Sequence, residues 1–250
     1  MARSEVSGAT ALVTGASRGF GRGIAAALSK AGAQVVGVAR DRTQLQEVSA
    51  ELGTSFTPVE ADATDPTVAG RLIDAHRPSI LVLNAGAAPL SRPLQYHTWR
   101  TFSVNWNTDV QHVFHWSREA LLAPLAPGSV VITMSSGAAL RGSPLSGGYA
   151  GSKAAIRFVT AYAAAESERN GLGIRFVSML PQLTPATTLG AAAVAAYAAR
   201  EGISVDAYLD RAGPALTPEL AGQAVVDLAT GDGHDQDAYL LTAAGLRSLS

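Results

Sequence analysis

Thr14-Gly15-Ala16-Ser17-Arg18-Gly19-Phe20-Gly21 is the stretch whose reading decides the fold. Ahead of it, Ala9 to Val13 has the composition of a short apolar strand. From Phe20 to Ala31 the pattern turns helical, with Ile24, Ala27 and Leu28 on one face. The glycines therefore stand on a strand-to-helix turn. A turn of that kind aims free backbone N–H groups and the positive end of a new helix at one point, which suits an anionic phosphate. Gly15 permits the tight turn, while Gly19 and Gly21 lack the β-carbons that would hold off a pyrophosphate or keep the helix from its strand. A plain glycine-rich connector explains the same letters, so the weight falls on the residues downstream.

Gly15-Ala16-Ser17-Arg18-Gly19 also spells G-x-S-x-G, the nucleophile elbow of serine hydrolases. That elbow needs earlier strands to build an oxyanion hole, and too little chain precedes it here. It also needs a late histidine. His234 is the only one near the C-terminus, in the polar run Gly231-Asp232-Gly233-His234-Asp235, which has the composition of a turn. The phosphate-binding reading is the stronger.

The chain has 250 residues, 47% of them hydrophobic, enough for one large α/β core. A formal net charge of −1 without any basic run lacks the electrostatic footprint of a nucleic-acid binder, so a small-molecule partner is expected. With no cysteine there are no disulfides, thiolate metal sites or cysteine nucleophiles. No N-terminal stretch has the form of a signal peptide, and no apolar run approaches the roughly 18 residues that span a bilayer. A cytoplasmic protein without membrane contact is the expectation.

Downstream, strand and helix patterns alternate. Ala33 to Ala39 is a continuous apolar run of the length of a strand buried on both faces, closed by Arg40 and Asp41. A helix through Leu45, Val48 and Leu52 follows, then an extended segment from Ser55 to Val59, a helix over Pro66 to His76, and the strand Ile80 to Leu83. Tyr96 to Leu122 predicts one or two helices, apolar on nearly all sides and therefore covered on nearly all sides. Strands are expected over Ser129 to Met134 and Gly173 to Leu180, with Pro181 as the stop, and near Tyr239 to Leu241. Helices are expected over Tyr149 to Arg169 and Pro218 to Ala229. The result is a single doubly wound parallel sheet, Rossmann-like, of about seven strands with helices on both faces over residues 1–250. Residues 182–215, rich in alanine, read as an apolar helical insertion or lid on the substrate side.

Tyr149-Ala150-Gly151-Ser152-Lys153 puts a phenol and an ammonium on one helix face. A phenol with a pKa of about 10 is a poor acid or base at neutral pH, and a neighbouring cation favours the phenolate. Such a tyrosine can protonate a carbonyl oxygen or deprotonate an alcohol. Ser136, thirteen residues upstream at the end of a buried strand, can orient the same oxygen.

These motifs and their order resemble the short-chain dehydrogenase/reductase family over nearly the whole chain. The resemblance rests on T-G-x-x-x-G-x-G at Thr14 to Gly21, Asp62 after the third strand and N-A-G at Asn84-Ala85-Gly86. It rests further on Val104-Asn105, Ser136, and Y-x-x-x-K at Tyr149 and Lys153. It implies hydride transfer between a nicotinamide dinucleotide and a carbonyl or secondary alcohol, with a tetrad of Asn105, Ser136, Tyr149 and Lys153. In that tetrad Tyr149 is the acid/base and Ser136 holds the substrate oxygen. Lys153 binds the nicotinamide ribose and lowers the tyrosine pKa, and Asn105 anchors a proton-relaying water. It further implies cofactor contacts from Gly15, Ser17, Arg18, Gly19, Phe20, Gly21, Asp62, Asn84, Ala85, Gly86, Pro181 and Thr184, and assembly as a homodimer or homotetramer. A catalytically idle dinucleotide-binding regulator on the same fold is the competing reading, and a complete tetrad speaks against it.

Leu83 stands where the family has the first asparagine of N-N-A-G, and Gln182 where it has the glycine of Pro-Gly. The discriminating site at the end of the second strand falls on neutral Ala39, with Arg40 next. Asp41 reads as the cap of the following helix. Arg40 and Arg18 converge on the position of a 2′-phosphate, so NADP(H) is expected, with NAD(H) as the alternative. His112 and His115 with Asp109 have the helical spacing of metal ligands, but no further ligand cluster accompanies them and no metal is expected.

Overall fold

The structure, a computed structural model, describes residues 6–231 and 235–249. Asp232, Gly233 and His234 lie outside the described residues, and with them the late histidine of the hydrolase reading. Among the described residues, eight strands form one sheet: β1 (Thr10–Thr14), β2 (Gln34–Ala39), β3 (Phe56–Glu60), β4 (Ile80–Leu83), β5 (Val130–Met134), β6 (Arg175–Pro181), β7 (Ala238–Thr242) and β8 (Gly245–Ser248). Their spatial order is β3-β2-β1-β4-β5-β6-β7-β8. Every neighbouring pair is parallel except β7 and β8. The helices are α1 (Gly19–Lys30), α2 (Arg42–Leu52), α3 (Pro66–His76), α4 (Trp99–Phe102), α5 (Gln111–Leu122), α6 (Tyr149–Arg169), α7 (Thr188–Glu201), α8 (Val205–Ala212) and α9 (Pro218–Thr230).

The strands show why the sheet needs cover on both sides. Every residue of β4 and of β5 is buried. Alternate residues go to opposite layers, as a period of two requires. Ala11 and Val13 of β1 join the core beneath α1, α2 and α9, while Leu12 joins the core beneath α3, α5 and α6. The chain runs outward from β1 through β2 to β3, then crosses back to lay β4 on the other side of β1. This reversal opens a crevice at the carboxyl ends of β1 and β4, where doubly wound sheets take ligands. Thr14 pairs with both Val38 and Leu83 at that edge, so the segments after β1, β2 and β4 leave the sheet side by side.

Two expectations change. The sheet has an eighth strand: the chain turns back after Thr242, Gly245 takes a φ of 108°, and β8 pairs antiparallel with β7. The region expected as one or two helices from Tyr96 to Leu122 is instead broken into α4, a π-helical turn over Trp106–Val110, and α5. Thr98 and Thr101 cap α4 reciprocally, and it ends by Ser103. Its apolar side chains are not covered all round. The inward positions belong to Asn105, Asp109 and His112, all fully buried, whereas Trp99, Phe114 and Leu122 are 76%, 50% and 62% exposed. Residues 182–215 contain α7 and α8. Among the described residues no helix is long and apolar enough to cross a membrane.

Candidate active site

The glycine turn is stitched to the end of β4. Gly15 has a φ of 66°, and a β-carbon there would stand 2.9 Å from the Ala85 Cα and from Asn84 Nδ2. The N–H of Gly15 donates to the Val38 carbonyl at 2.7 Å. Asn84 Nδ2 donates to the Thr14 and Gly15 carbonyls at 3.1 and 3.2 Å, and the Asn84 and Ala85 N–H groups donate to Thr14 Oγ1 at 2.9 and 3.2 Å. Gly21 lets α1 close in: a β-carbon there would lie 2.0 Å from the Gly15 carbonyl oxygen. Helix α1 has no side-chain cap, unlike α2, α3 and α9, which are capped by Asp41, Asp65 and Thr217. Its leading N–H groups thus face the crevice mouth, a cradle that fits the pyrophosphate of a dinucleotide.

Around that cradle, Ser17 Oγ donates to Gln44 Oε1 at 3.1 Å, a tie from α2 that the sequence did not disclose. Arg18 and Arg40 are exposed. Asp41 accepts from the Gln44 N–H at 3.0 Å, which is the helix cap expected of it. Asp62 lies past the end of β3 and accepts from the Thr64 N–H and hydroxyl at 2.9 and 2.8 Å. The Thr64 N–H, backed by its hydroxyl and by the Arg40 charge, outweighs partial burial and holds the Asp62 carboxyl below the usual range.

The second half of the site lies at the end of β5 and the start of α6. Ser136 caps the short turn after β5, its Oγ accepting from the Ala138 N–H at 3.2 Å. Ser135 Oγ donates to the Lys153 carbonyl at 2.7 Å, which anchors α6 to that strand end. Tyr149 and Lys153 do share a face, with Lys153 Nζ 5.5 Å from the centre of the phenol ring. The ammonium is buried. It donates to the Met134 carbonyl at 3.0 Å and pairs with Asp109 Oδ2 at 3.1 Å. Burial works against its charge, but Asp109 and then Tyr149 more than offset that, and the Lys153 pKa lies above its ordinary value. Asn105 Nδ2 donates to the Ala87 carbonyl at 2.7 Å and faces both Asp109 oxygens at 3.5 Å, while the Ala87 N–H donates to Asp109 Oδ1 at 2.8 Å. Ala87, the residue after the N-A-G run, is thus held at its N–H by Asp109 and at its carbonyl by Asn105.

A family model described as short chain dehydrogenase matches residues 9–199. The chain belongs to the short-chain dehydrogenase family. It is 32% identical over 179 residues to a serine 3-dehydrogenase of Rhizobium radiobacter, covering 69% of this chain and 70% of that protein. It is 30% identical over 183 residues to an L-xylulose reductase of Cavia porcellus, covering 72% and 74%. Among solved structures, a 3-ketoacyl-(acyl-carrier-protein) reductase from Brucella melitensis complexed with NADH superposes with a TM-score of 0.78. It is 25% identical, covering 94% of this chain and 97% of that one. A structure from Beutenbergia cavernae with bound NADP reaches 0.79 at 26% identity, covering 95% and 96%. The protein is therefore an oxidoreductase of this family.

Within this short-chain dehydrogenase, the segment after β6 bears on the site from above. Pro181 is buried at the strand end, and the Gln182 N–H donates to the Leu241 carbonyl at 2.9 Å. A β-carbon on Gly137 would lie 3.7 Å from the Gln182 Cα, which places Gln182 beside the Ser136 turn. Thr184 is buried, and its hydroxyl donates to the Leu216 carbonyl and accepts from the Ala186 N–H, so that oxygen is engaged inside the insertion. Thr187, the cap of α7, stands over the glycine turn, with its Cγ2 3.6 Å from where a Gly19 β-carbon would be. Tyr197 of α7 hydrogen-bonds Ser143 in the loop that leads to Tyr149 and stacks on Tyr208 at 6.3 Å.

Asp109 and His112 do not share a ligand. Asp109 belongs to Lys153, whereas His112 Nε2 lies 3.0 Å from Thr14 Oγ1, behind the glycine turn. Among the described residues no group of three potential ligands gathers. Burial and the Lys153 charge push the His112 pKa down to about 3, against the opposing pull of the Ala85 backbone. Its folded pKa is thus below the unfolded value of about 6.5, so the unfolded chain takes up a proton first. His112 accordingly removes stability as pH falls below about 6.5, down to about 3. From pH 7 to pH 5 that loss should be about 2 kcal/mol. Urea unfolding of His112→Gln should show a pH dependence shallower by that amount, and an unchanged slope would contradict the assignment.

Proposed function

We propose that this protein transfers hydride between NADP(H) and the carbonyl or secondary alcohol of a small, partly apolar substrate, with Tyr149 as the acid/base. The observation that carries this reading is the buried Lys153 ammonium beside the Tyr149 ring, at the sheet edge that also carries the glycine turn. Gly15, Ser17, Gly19, Phe20, Gly21, Asn84, Ala85 and Gly86 would hold the dinucleotide along that turn, and hydride exchange is the chemistry that group would supply. Tyr149 gives its phenolic proton to the carbonyl oxygen during reduction and takes the proton of the alcohol during oxidation. Ser136 donates a hydrogen bond to the same oxygen and fixes its place. Lys153 stabilises the phenolate left behind and would bind the nicotinamide ribose. Asn105 and Asp109 hold the Ala87 backbone, and Asp109 also pairs with Lys153.

Several features support the finer points. Ala39, where NAD-binding sites carry an acid, is neutral, and the exposed guanidinium groups of Arg18 and Arg40 suit a 2′-phosphate. Leu140, Leu183 and Leu189 are exposed around the segment 182–215, which suits a lid over a substrate with apolar surface. On the outer faces of α5 and α6, Phe114, Leu122, Phe158 and Tyr162 are 50%, 62%, 60% and 65% exposed, and Phe158 stacks on Tyr162. A second copy of the chain across a two-fold axis would bury that face, so we place the protein in a homodimer or homotetramer.

Tyr149→Phe should lower kcat by about 10² to 10⁴-fold in a ketone and alcohol panel, with NADPH affinity by fluorescence titration nearly unchanged. Retained turnover would remove Tyr149 from the chemistry, and absence of turnover in the unmodified protein with any substrate would favour the regulator. Ala39→Asp with Arg40→Leu should weaken NADPH binding by about 10 to 100-fold and improve NADH. Equal kcat/KM for the two cofactors in the unmodified enzyme would show that neither arginine reads a 2′-phosphate. Light scattering at micromolar concentration should give a dimer or tetramer mass, and a monomer mass would dismiss the apolar face as an interface.

A further inference from the structure

Asp109, which the sequence set beside His112 and His115 in a metal-ligand spacing, joins the site in another capacity. It is 1% exposed, on the π-helical turn Trp106–Val110, one turn beyond Asn105. Three groups converge on its carboxylate: the Lys153 ammonium at 3.1 Å, the Ala87 N–H at 2.8 Å and the Asn105 amide at 3.5 Å. The space is closed. A β-carbon on Gly86 would stand 2.9 Å from Asp109 Oδ2, so the N-A-G run rests directly on the carboxylate.

The same ammonium is the one that favours the Tyr149 phenolate. The titratable groups facing Lys153 are Asp109 from the π-turn, Tyr149 from its own helix α6 and His112 from α5. His112 is neutral at any working pH, since its pKa is about 3. Met134 of β5 contributes a carbonyl dipole and no charge. Seen from Tyr149, the cation therefore comes paired with a buried anion at contact distance. We infer that Asp109 is a positioning residue that fixes the Lys153 ammonium and damps its pull on the Tyr149 proton. It also ties that ammonium to the nucleotide-side loop through Ala87.

This inference rests on Tyr149 as the acid/base, and the test separates the two. Asp109→Asn keeps an oxygen for the Ala87 N–H and removes the charge. The midpoint of the pH limb of kcat/KM in the oxidation direction should move down by about one pH unit, because the phenolate then meets an uncompensated cation. A limb at its original pH in a folded Asp109→Asn protein overturns the inference. Tyr149→Phe is run alongside. If it keeps both activity and the limb, the acid/base reading has failed, and the pairing is judged on heat stability alone. There, Asp109→Asn combined with Lys153→Met should be more heat-stable than Asp109→Asn, since no buried charge is left unpaired. Additive losses, or a double variant as insoluble as an insoluble Asp109→Asn, overturn the pairing.

Discussion

The Thr14 hydroxyl accepts the backbone N–H groups of Asn84 and Ala85, and the nucleotide-side half of the site is hung from that seam. At the point where strand order reverses, β1 and β4 feed loops in opposite directions, and parallel pairing ends at Thr14 and Leu83. Beyond it the backbone must find other partners or leave polar groups buried without any. Thr14 Oγ1 meets part of that demand and the Asn84 amide meets the rest by reaching the Thr14 and Gly15 carbonyls. The family asparagine replaced by Leu83 is not missed at this seam, because Leu83 points into the apolar layer under α3, α5 and α6.

Behind the seam the protein keeps two full charges out of water. Lys153 and Asp109 are 6% and 1% exposed. A buried ion pair of this kind recovers its desolvation cost only with good geometry and further hydrogen bonds, and apolar side chains of similar volume are often the more stable choice. Here the geometry is supplied by the Met134 carbonyl, the Ala87 N–H and the Asn105 amide. The pair sits at the strand ends beside Tyr149, where a fixed cation has chemical use. On the proposed reading, the pair at that place serves the proton chemistry rather than stability.

The outer layers are built on different terms. Helix α7 buries Val194 and Ala198 and reaches the loop before Tyr149 through the Tyr197 hydroxyl, Thr184 and Leu216 join the segments that flank α7 and α8, and α8 buries none of its residues. Helices α5 and α6 bury Trp116 and Ile156 inward and leave aromatic groups outward. The inward side of each is complete within one chain, so the outward aromatic face is surplus to this fold.

Much of this was legible in the order of residues. Pro66–His76, Ile80–Leu83 and Tyr149–Arg169 occur with the bounds their periodicity indicates, because caps, prolines and apolar spacing act within a few residues. The glycine turn and the shared face of Tyr149 and Lys153 are local in the same sense. The breaks at Ser103 and through Trp106–Val110, the eighth strand, and the exposure of Trp99 and Phe114 were not legible. Each depends on what lies opposite in space. The same holds for Asp109, which in the chain is one acid near two histidines and takes its place only where α5, α6 and the loop after β4 meet. Local propensity and pattern determined the elements and their sequence along the chain. The pairing of buried charges was decided by tertiary contact alone, since a carboxylate's energy depends on partners 22 and 44 residues away, at Ala87 and Lys153.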